Sequence, residues 1–310
     1  MTKIIFMPTQ HFSECPFCNS TDIEPVFEVK DYTVSQEDYS IFHCNQCGFR
    51  FTQDIPKIEN IGKYYKAESY ISHTDSHKGI INKLYHFARK IMLNKKYRAI
   101  KKVTGKNTGD LLDIGAGTGY FDNYMQQKGF TVTGVEVDKD ARQMAKNNFG
   151  LEFKSMDFVY DLPEKHFDII TMWHVLEHVH DLDGYFKQIN KTIKDEGFVV
   201  FALPNFTSFD GNHYKNRWAG YDVPRHLWHF SPDFFKKIVK HYGFEIVKIK
   251  QLPFDGIYLS LLSEKYKQNK FWFIAGSFWG FLSFISGLFN THKGSSLIYF
   301  IKKVRKVESS

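Results

Sequence analysis

Four cysteines form the most specific chemical pattern in this chain of 310 residues. Cys15 and Cys18 make one C-x2-C pair, and Cys44 and Cys47 make a second pair after a gap of 25 residues. Two such pairs are typical of a zinc ribbon, whereas a redox C-x2-C site and four chance thiols are the alternatives. Because four thiolates fill a tetrahedral shell, we predict one structural Zn²⁺ with no open position for water.

A second pattern is the glycine loop in LLDIGAGTG, residues 111–119. Gly115, Gly117 and Gly119 permit positive φ angles and a close approach of a ligand to the backbone. The loop is predicted to open a helix, whose N-terminus favours negative or polar ligand groups. About twenty residues further on, Glu136 ends the next predicted strand, where an acid can accept hydrogen bonds from ribose hydroxyls. These residues predict a nucleoside or nucleotide site.

The glycine spacing and one additional acid narrow the choice of ligand. The glycines run G-x-G-x-G because residue 120 is Tyr, whereas dinucleotide sites carry G-x-G-x-x-G. Asp113 lies in the predicted strand just before the glycines, and a carboxylate there would repel a diphosphate but attract an ammonium group. We therefore predict a cofactor with a cationic amino-acid tail and no phosphates, which is S-adenosylmethionine (SAM).

Strands and helices alternate from Gly109 onward, which predicts a parallel α/β sheet that would position these residues. The sequence predicts helices over residues 120–128, 141–148, 182–193 and 232–241, the last with Ser231 as N-cap. The seven predicted strands cover residues 111–115, 131–137, a short segment at Phe153, 167–173, 197–204, 244–252 and 295–304.

The chain divides into three predicted segments. Residues 1–55 would form the zinc-ribbon-like unit, which is too small to fold without a metal. Residues 56–105 are polar and basic, with apolar positions at amphipathic spacing, and we predict a helical lid or linker. Residues 106–310 would form the α/β domain, with a hydrophobic insert at about 253–294.

Residues 271–290 of the insert carry no charge and meet the length rule for a transmembrane helix. Topology argues against a span, because the strand over 295–304 must return to the sheet beside the strand over 244–252. Three glycines and three serines also weaken a helix here. We predict a buried or surface-lying apolar element that caps the site, and such an element could also contact a membrane interface.

Composition is that of an ordinary globular protein. Hydrophobic residues make up 43% and charged residues 24%, which excludes a disordered chain, a collagen-like repeat and a coiled coil. The aromatic share of 17% suggests pockets for an apolar or planar ligand. A diffuse net charge of +7 does not indicate a nucleic-acid partner. The N-terminus lacks a secretory signal, so we expect a cytoplasmic protein that could lie at the inner membrane face.

Three motifs, taken in order, carry a resemblance to a known family. LLDIGAGTG, GVEVD and FDIITMWHVLEHV resemble the first, second and fourth motifs of class I SAM-dependent methyltransferases, and the resemblance covers about 107–252 plus the final strand. HVLEH resembles a small-molecule subgroup that includes the ubiquinone-pathway O-methyltransferases. The cysteine unit is similar to that of sugar C-methyltransferases, while YYKAESYISHTDSHKG, YDVPRHLWHFSP and PFDGIYLSLLSEKY look like an uncharacterised bacterial group.

The resemblance implies a fold and a set of cofactor-binding residues. The fold is an α/β Rossmann-like sheet of seven strands, parallel with an antiparallel last strand, preceded by the small zinc-ribbon-like unit. Its implied contacts are the three glycines as a cradle, Asp113 at the amino-acid end of SAM, Glu136 at the ribose, Asp157 at the adenine amino group, and Trp173 and His174 along the methionine side.

Methyl transfer needs a base only when the acceptor is not already ionised. His178, near the carboxyl edge of the sheet, is the first candidate, and Glu177 could orient its ring or help to bind a cation. His226 is a second candidate base, beside Arg225, which could pair an anionic acceptor. The related ubiquinone enzymes have E-x-x-E-H here, so His174 in place of the first acid weakens the case for a metal. Tyr65, Ser72 and His73 could close over the cofactor.

The leading functional hypothesis is methyl transfer from SAM to an O or C atom of a small molecule, which could be sugar, quinone-like or lipid-linked. An RNA-modifying methyltransferase is a second hypothesis, weakly favoured by the basic stretch at 83–106 and the zinc ribbon. A third is a non-catalytic zinc-ribbon adaptor. The intact glycine loop argues against the adaptor, and the absence of an N-P-P-Y motif argues against methylation of nucleic-acid bases.

Overall fold

The computed structural model of the chain describes residues 9–65 and 80–304, with side chains between 80 and 88 left undescribed. Ser72 and His73, predicted to close over the cofactor, therefore lie outside the described residues. The N-terminal part contains β1 (Thr9–Gln10), β2 (Ile23–Lys30), β3 (Asp38–Cys44), β4 (Arg50–Thr52), β5 (Ile55–Pro56) and α1 (Ile58–Ile61). Strands β2, β3 and β4 form an antiparallel sheet, and β1 pairs with β5.

A helix of 25 residues, α2 (Ile80–Thr104), follows in the segment that was predicted to be helical. It ends at Gly105, whose φ of 72° lies in the left-handed region that helix C-termini commonly require. Ile100 is fully buried in this helix and belongs to the apolar cluster on one face of the main sheet. The amphipathic spacing thus identified a helix that packs against the α/β domain.

The main sheet has six strands in the order β11-β12-β9-β8-β6-β7. Strands β6, β7, β8 and β9 are parallel to one another, and β12 is antiparallel to both of its neighbours. The prediction of an α/β Rossmann-like sheet with an antiparallel last strand is confirmed. Its elements are β6 (Gly109–Ile114), α3 (Tyr120–Gln127), β7 (Phe130–Val135), α4 (Lys139–Phe149), β8 (Phe167–Trp173), α5 (Leu182–Thr192), β9 (Ile193–Pro204), α6 (Phe209–Tyr214), β10 (Trp228–His229), α7 (Pro232–His241), β11 (Phe244–Gln251), α8 (Asp255–Tyr266), α9 (Trp272–Phe289) and β12 (Ser296–Lys303).

The predicted strand at Phe153 is reduced to a single bridge, between Val135 and Lys154. Pairing stops because a 3₁₀ helix, Met156–Asp161, begins directly afterwards. The Phe153 ring packs over Gly134, where a Cβ atom would lie 2.3 Å from the ring. The sheet in the described part of the chain therefore has six strands where seven were predicted.

The cysteine unit and the α/β domain share one sheet and one apolar cluster. Strand β10 extends the N-terminal sheet by pairing with β4, with Trp228 opposite Phe51. Phe49 stacks on Phe234 of α7 at a centroid distance of 4.3 Å. Because both sheets contribute to the same buried cluster, the N-terminal unit is packed directly onto the loop that precedes α7.

The insert folds as a pair of packed helices, α8 and α9, between β11 and β12. Helix α9 is the one described helix that is long and apolar enough to cross a membrane by length and composition, and 22% of its residues are buried. The first turn of α8 contains Asp255, which contacts His174 at the end of β8. The insert thus lies on the surface and adjoins the carboxyl edge of the main sheet.

Candidate active site

The glycine loop is held against the neighbouring strand β7. The backbone N–H groups of Gly115 and Ala116 donate to the Val135 carbonyl, and Gly117 N–H donates to Glu136 Oε2 at 2.7 Å. All three glycines have positive φ, between 55° and 82°. A Cβ atom at Gly115 would lie 2.3 Å from Val175, whereas one at Gly117 would have nothing within 4 Å among the described residues. The backbone of the loop is therefore open to a ligand at Gly117, whereas at Gly115 it is packed closely against Val175.

Asp113 is buried at the end of β6 and accepts a hydrogen bond from the Thr171 hydroxyl of β8. Burial raises the pKa of Asp113 to about 7, although this hydrogen bond and the ammonium of Lys96 oppose the shift. A carboxyl group with this pKa is half protonated near neutral pH. A cationic ligand beside it would favour the ionised form.

Two charged residues beside Asp113 were not identified from the sequence. Asp122, in the first turn of α3, is fully buried, and both carboxyl oxygens lack a hydrogen-bond partner within the described chain. Burial and the charge of Asp113 raise the Asp122 pKa well above its ordinary value. Lys96 reaches over from α2, with Nζ 4.0 Å from the Trp173 ring centroid, and burial lowers its pKa to about 8. Asp122 follows Gly119 by three residues, and that spacing is the one sequence signal that could have identified it.

Of two further predicted cofactor contacts, Trp173 packs against neighbouring helices, whereas Asp157 is exposed to solvent. Trp173 packs edge-on against Phe121, at a centroid distance of 5.4 Å, so its ring lies between α2 and α3. Asp157 is exposed in the 3₁₀ helix after the Lys154 bridge, at the margin of the glycine-loop edge. Trp173 is therefore a half-buried part of the wall beside α2 and α3, and Asp157 remains accessible to a ligand.

His174 leaves β8 with φ of 57°, a conformation that costs energy in a non-glycine residue and is common at functional sites. Its Nδ1 lies 3.3 Å from Glu177 Oε1, and its Nε2 lies 3.2 Å from Asp255 Oδ2. Burial opposes protonation, but the two carboxylates outweigh it and raise the His174 pKa to about 10. His174 is therefore an imidazolium at neutral pH, and it links the insert to the site.

His178 is held in one tautomer by its surroundings. Its Nδ1 lies 2.9 Å from the Arg225 carbonyl oxygen, which can only accept, and 3.0 Å from the Tyr65 hydroxyl. Nδ1 therefore carries the proton, and Nε2 keeps its lone pair. Burial and the nearby His226 lower the His178 pKa to about 4, so the ring is neutral at pH 7. Tyr65, predicted to lie over the cofactor, contacts this histidine.

His226 meets His178 from a different loop, with ring centroids 4.6 Å apart. His226 Nδ1 donates to the Gly220 carbonyl at 2.9 Å, and its Nε2 lies 3.9 Å from Asp222 Oδ2. Thr52 of β4 donates to the His226 carbonyl at 2.8 Å, so the cysteine unit supports this loop directly. The structure thus brings together two histidines that are 48 residues apart in the sequence.

The carboxylate of Glu177 completes this group, which we call the Glu-His-His cluster (Glu177, His178 and His226). One ligand-type atom from each side chain lies within 4.8 Å of the others. Glu177 is fully buried, and its oxygens form no hydrogen bond with any described residue, although His174 is in ion-pair range. The donor set fits a divalent cation, but the imidazolium of His174 already balances the Glu177 charge.

Arg225 does not have the role that the sequence suggested. Its guanidinium is 1% exposed and donates to both oxygens of Asp222, at 2.6 and 2.9 Å, and to the Tyr64 carbonyl. Asp31 of the N-terminal unit lies 3.4 Å away. Because these partners occupy the guanidinium, it is not available to an anionic acceptor, and it instead connects two parts of the fold.

The four cysteines converge without a disulfide between them, and their sulfurs all lie within 4.8 Å of one another. Cys15 Sγ lies 3.6 Å from Cys47 Sγ, and Cys18 Sγ lies 3.5 Å from Cys44 Sγ. Tetrahedral zinc with bonds of about 2.3 Å would separate its sulfur ligands by about 3.8 Å. The sulfur positions therefore fit a four-thiolate zinc shell.

Comparisons with known proteins agree with this geometry. A family model described as a methyltransferase domain matches residues 85–249, more than half of the chain. The ubiquinone biosynthesis O-methyltransferase of Pelagibacter ubique is 27% identical over 170 residues, which cover 51% of this chain and 68% of the relative. The enzyme of the same name from Actinobacillus pleuropneumoniae is 28% identical over 34% of this chain and 50% of its own length.

Two solved structures share the fold. Magnesium protoporphyrin IX methyltransferase from Synechocystis, with S-adenosylhomocysteine bound, aligns with a TM-score of 0.51 at 13% identity, over 79% of this chain and all of its own. Phosphoethanolamine N-methyltransferase 2 from Haemonchus contortus aligns with a TM-score of 0.52 at 15% identity, over 90% of this chain and 71% of its own. With the domain match, the fold and the glycine-loop site in agreement, the chain belongs to the SAM-dependent methyltransferase family.

Proposed function

We propose that this protein transfers the methyl group of SAM to a hydroxyl oxygen of a small, quinone-like acceptor. The observation that carries the proposal is a neutral histidine, His178, whose Nδ1–H is held by a backbone carbonyl near the carboxyl ends of β8 and β9. An orienting hydrogen bond of this kind leaves Nε2 ready to accept a proton. The O-methyltransferase relatives named above support oxygen over carbon as the methylated atom.

The residues of the glycine-loop edge would hold the cofactor, which supplies an activated methyl group when bound. Glu136 would accept from the ribose hydroxyls, and Gly117 leaves space for close approach. Asp113 would balance the charged amino-acid end. Asp157 would accept from the adenine amino group, since it is exposed at this margin.

The Glu-His-His cluster would act on the acceptor hydroxyl. His178 Nε2 would remove its proton as the methyl group arrives, and His226 would accept a hydrogen bond or serve as the alternative base. Glu177 would add to the stabilisation of the imidazolium that forms, because its carboxylate lies within 4.8 Å of a nitrogen of each ring. The same three side chains could instead hold a divalent cation, which would lower the pKa of a coordinated hydroxyl.

We infer further that Cys15, Cys18, Cys44 and Cys47 hold one structural zinc ion. The sulfur positions and the full complement of four ligands support this assignment. No disulfide joins any two of them, so each sulfur is available to ligate the metal as a thiolate.

The test is a transfer assay with methyl-labelled SAM and a panel of catechols, hydroquinones, sugars and apolar alcohols, each with and without a chelator. The proposal expects label on a phenolic oxygen. Turnover that resists the chelator would assign the base to His178, whereas turnover that the chelator removes and added Mg²⁺ restores would assign a metal to the cluster, because Mg²⁺ does not refill a four-thiolate site. Label found only on carbon or on a sugar would contradict the acceptor class.

A further inference from the structure

Helix α9 presents its large apolar side chains outward. Phe273, Ile274, Phe278 and Phe281 are between 55% and 69% exposed, and Phe289 is 90% exposed. A soluble helix normally turns such side chains toward the core. A contiguous apolar surface of this kind marks a site of contact with a protein or a membrane.

The buried face of α9 consists of small residues, Gly276, Gly280, Ser283 and Gly287. A Cβ atom at Gly280 would lie 2.5 Å from Ile257 Cα, so the backbones of α8 and α9 are in close approach. Small residues at this spacing are how helices pack against each other when both are surrounded by lipid. The packing therefore leaves the aromatic face of α9 without cover in the described chain.

The surroundings of this face are positively charged. Residues 265–303 contain six lysines and no Asp or Glu. Three of these lysines pair with acids outside this range, namely Lys267 with Glu264, Lys302 with Glu245 and Lys303 with Asp195. Lys265 and Lys270 are exposed before α9, and Lys293 is exposed after it.

A basic cleft of about 230 Å³ lies between α2 and the segment that leads from β11 into α8. It is lined by Lys95, Arg98, Lys102 and Lys250, among other residues. The pKa of Lys250 is lowered by burial and by the charges of Lys102 and Lys248, so these cations crowd one another. An anionic surface at this position would relieve their repulsion.

The charge pattern and the topology indicate what covers the apolar face of α9. A second copy of the chain docked through α9 would place lysines opposite lysines, with no acid in residues 265–303 to pair them. A complete span is excluded because β11 and β12, which flank the insert, are hydrogen-bonded neighbours in one sheet. An apolar helix that is flanked by lysines and tied down at both ends fits a bilayer interface.

We propose that α9 docks this protein onto the surface of an anionic lipid bilayer, with its phenylalanine face in the acyl region and the basic cleft toward the headgroups. The helix of 18 residues is about 27 Å long and would lie in the plane of the interface. This role is independent of which acceptor is methylated. It places the His174–Asp255 contact, and thus the site, beside the lipid surface.

The experiment is co-sedimentation of the full chain with phosphatidylcholine vesicles, with and without 30% phosphatidylglycerol. The variant F273S/F278S/F281S should lower the partition coefficient at least about a hundred-fold, because three aromatic side chains lose their apolar contact. The matched control I58S/V247S removes exposed apolar residues elsewhere and should bind as the natural protein does. The variant K270E/K293E should reduce the preference for phosphatidylglycerol.

Several results would overturn the proposal. One is no sedimentation with either vesicle, and another is equal binding to neutral and anionic vesicles. A lipid-free dimer in light scattering that the phenylalanine variant abolishes would assign the face to a second copy. Salt-sensitive tRNA binding that displaces the vesicles would assign the basic cleft to RNA. Circular dichroism of each variant establishes that a loss of binding is not a loss of folding.

Discussion

In both the four-cysteine cluster and the Glu-His-His cluster, the ligand-type atoms lie within 4.8 Å of one another. The two clusters differ in the elements and side chains that form them. The cysteines come from two knuckles, each closed by a local turn, and they fill a whole tetrahedral shell with one kind of ligand. The Glu-His-His cluster joins the end of β8 to the loop before β10, and it contains a buried carboxylate without a hydrogen bond in the described chain and the Nε2 lone pair of His178.

This difference separates a site for stability from a site for chemistry. A closed shell has no position for a reactant, so a metal there contributes folding free energy. Unsatisfied buried polar atoms, by contrast, cost folding free energy and persist at places where a ligand will meet them. The two clusters are also coupled, because β4 of the cysteine unit supports the loop of His226.

The largest expected effect is the loss of stability when a ligand of the cysteine cluster is replaced. Cys44→Ser should abolish zinc binding and lower the free energy of unfolding by about 5 kcal/mol or more, since structural zinc contributes most of the folding free energy of such units. Elemental analysis and urea denaturation measure both quantities. Asn45→Ala, an exposed change in the same knuckle, is the control. A natural protein that folds without metal and shows four titratable thiols would refute the zinc assignment.

The next effect concerns the Glu-His-His cluster. His178→Ala should lower kcat by about 10²- to 10⁴-fold and His226→Ala by a similar or smaller factor, because a positioned base is lost. The dissociation constant for SAM should change little, as calorimetry can show. His166→Ala is a matched control, since this exposed histidine precedes β8 at the opposite edge of the sheet. Unchanged turnover in both cluster variants would remove them as bases.

A third prediction links cofactor binding to pH. The Asp113 pKa of about 7 in the free protein should fall when a cation binds beside it. Binding of SAM should therefore release protons near pH 7, and affinity should weaken as the pH falls below 7, by up to about tenfold per pH unit. Calorimetry in buffers with different ionisation enthalpies measures the proton release. The variant D113N should abolish it, and a natural protein without release would argue against the contact.

The smallest expected effect concerns His174, which joins the cluster to the insert. Its folded pKa of about 10 lies above the ordinary value of 6.5, so its contribution to stability is complete below pH 6.5 and is lost as the pH rises through 10. The difference in unfolding free energy between the natural protein and D255N should shrink over this range. Urea denaturation at pH 6, 8 and 10 measures it, and a difference that stays constant would show that the ion pair does not form.

Sequence reasoning succeeded where the signal is local. The cysteine knuckles, the glycine loop and the Ser231 cap each depend on neighbouring residues, and the Ser231 hydroxyl does accept from Phe234 N–H. Apolar runs and the alternation of strands with helices identified all six strands of the main sheet, although β9 begins four residues before its predicted start. The strand at Phe153 failed because a 3₁₀ helix begins after one bridge, which no periodicity could show.

Sequence reasoning failed where side chains meet across long separations. Lys96 and Asp255 approach the site from α2 and α8, and neither carries a motif. Arg225 was expected to face an acceptor, but Asp222 and Asp31 pair with it, and Asp31 is 194 residues away. Such pairings depend on how the N-terminal sheet docks, which composition and spacing do not encode.

The most direct test of the account is a crystal structure of the protein with S-adenosylhomocysteine. We expect the nucleoside over Gly117, its ribose hydroxyls on Glu136, its amino-acid end at Asp113, and the sulfur directed toward the Glu-His-His cluster. A product molecule bound elsewhere, or one seated there with both carboxylates turned away, would contradict the assignment of this edge of the sheet as the site of methyl transfer.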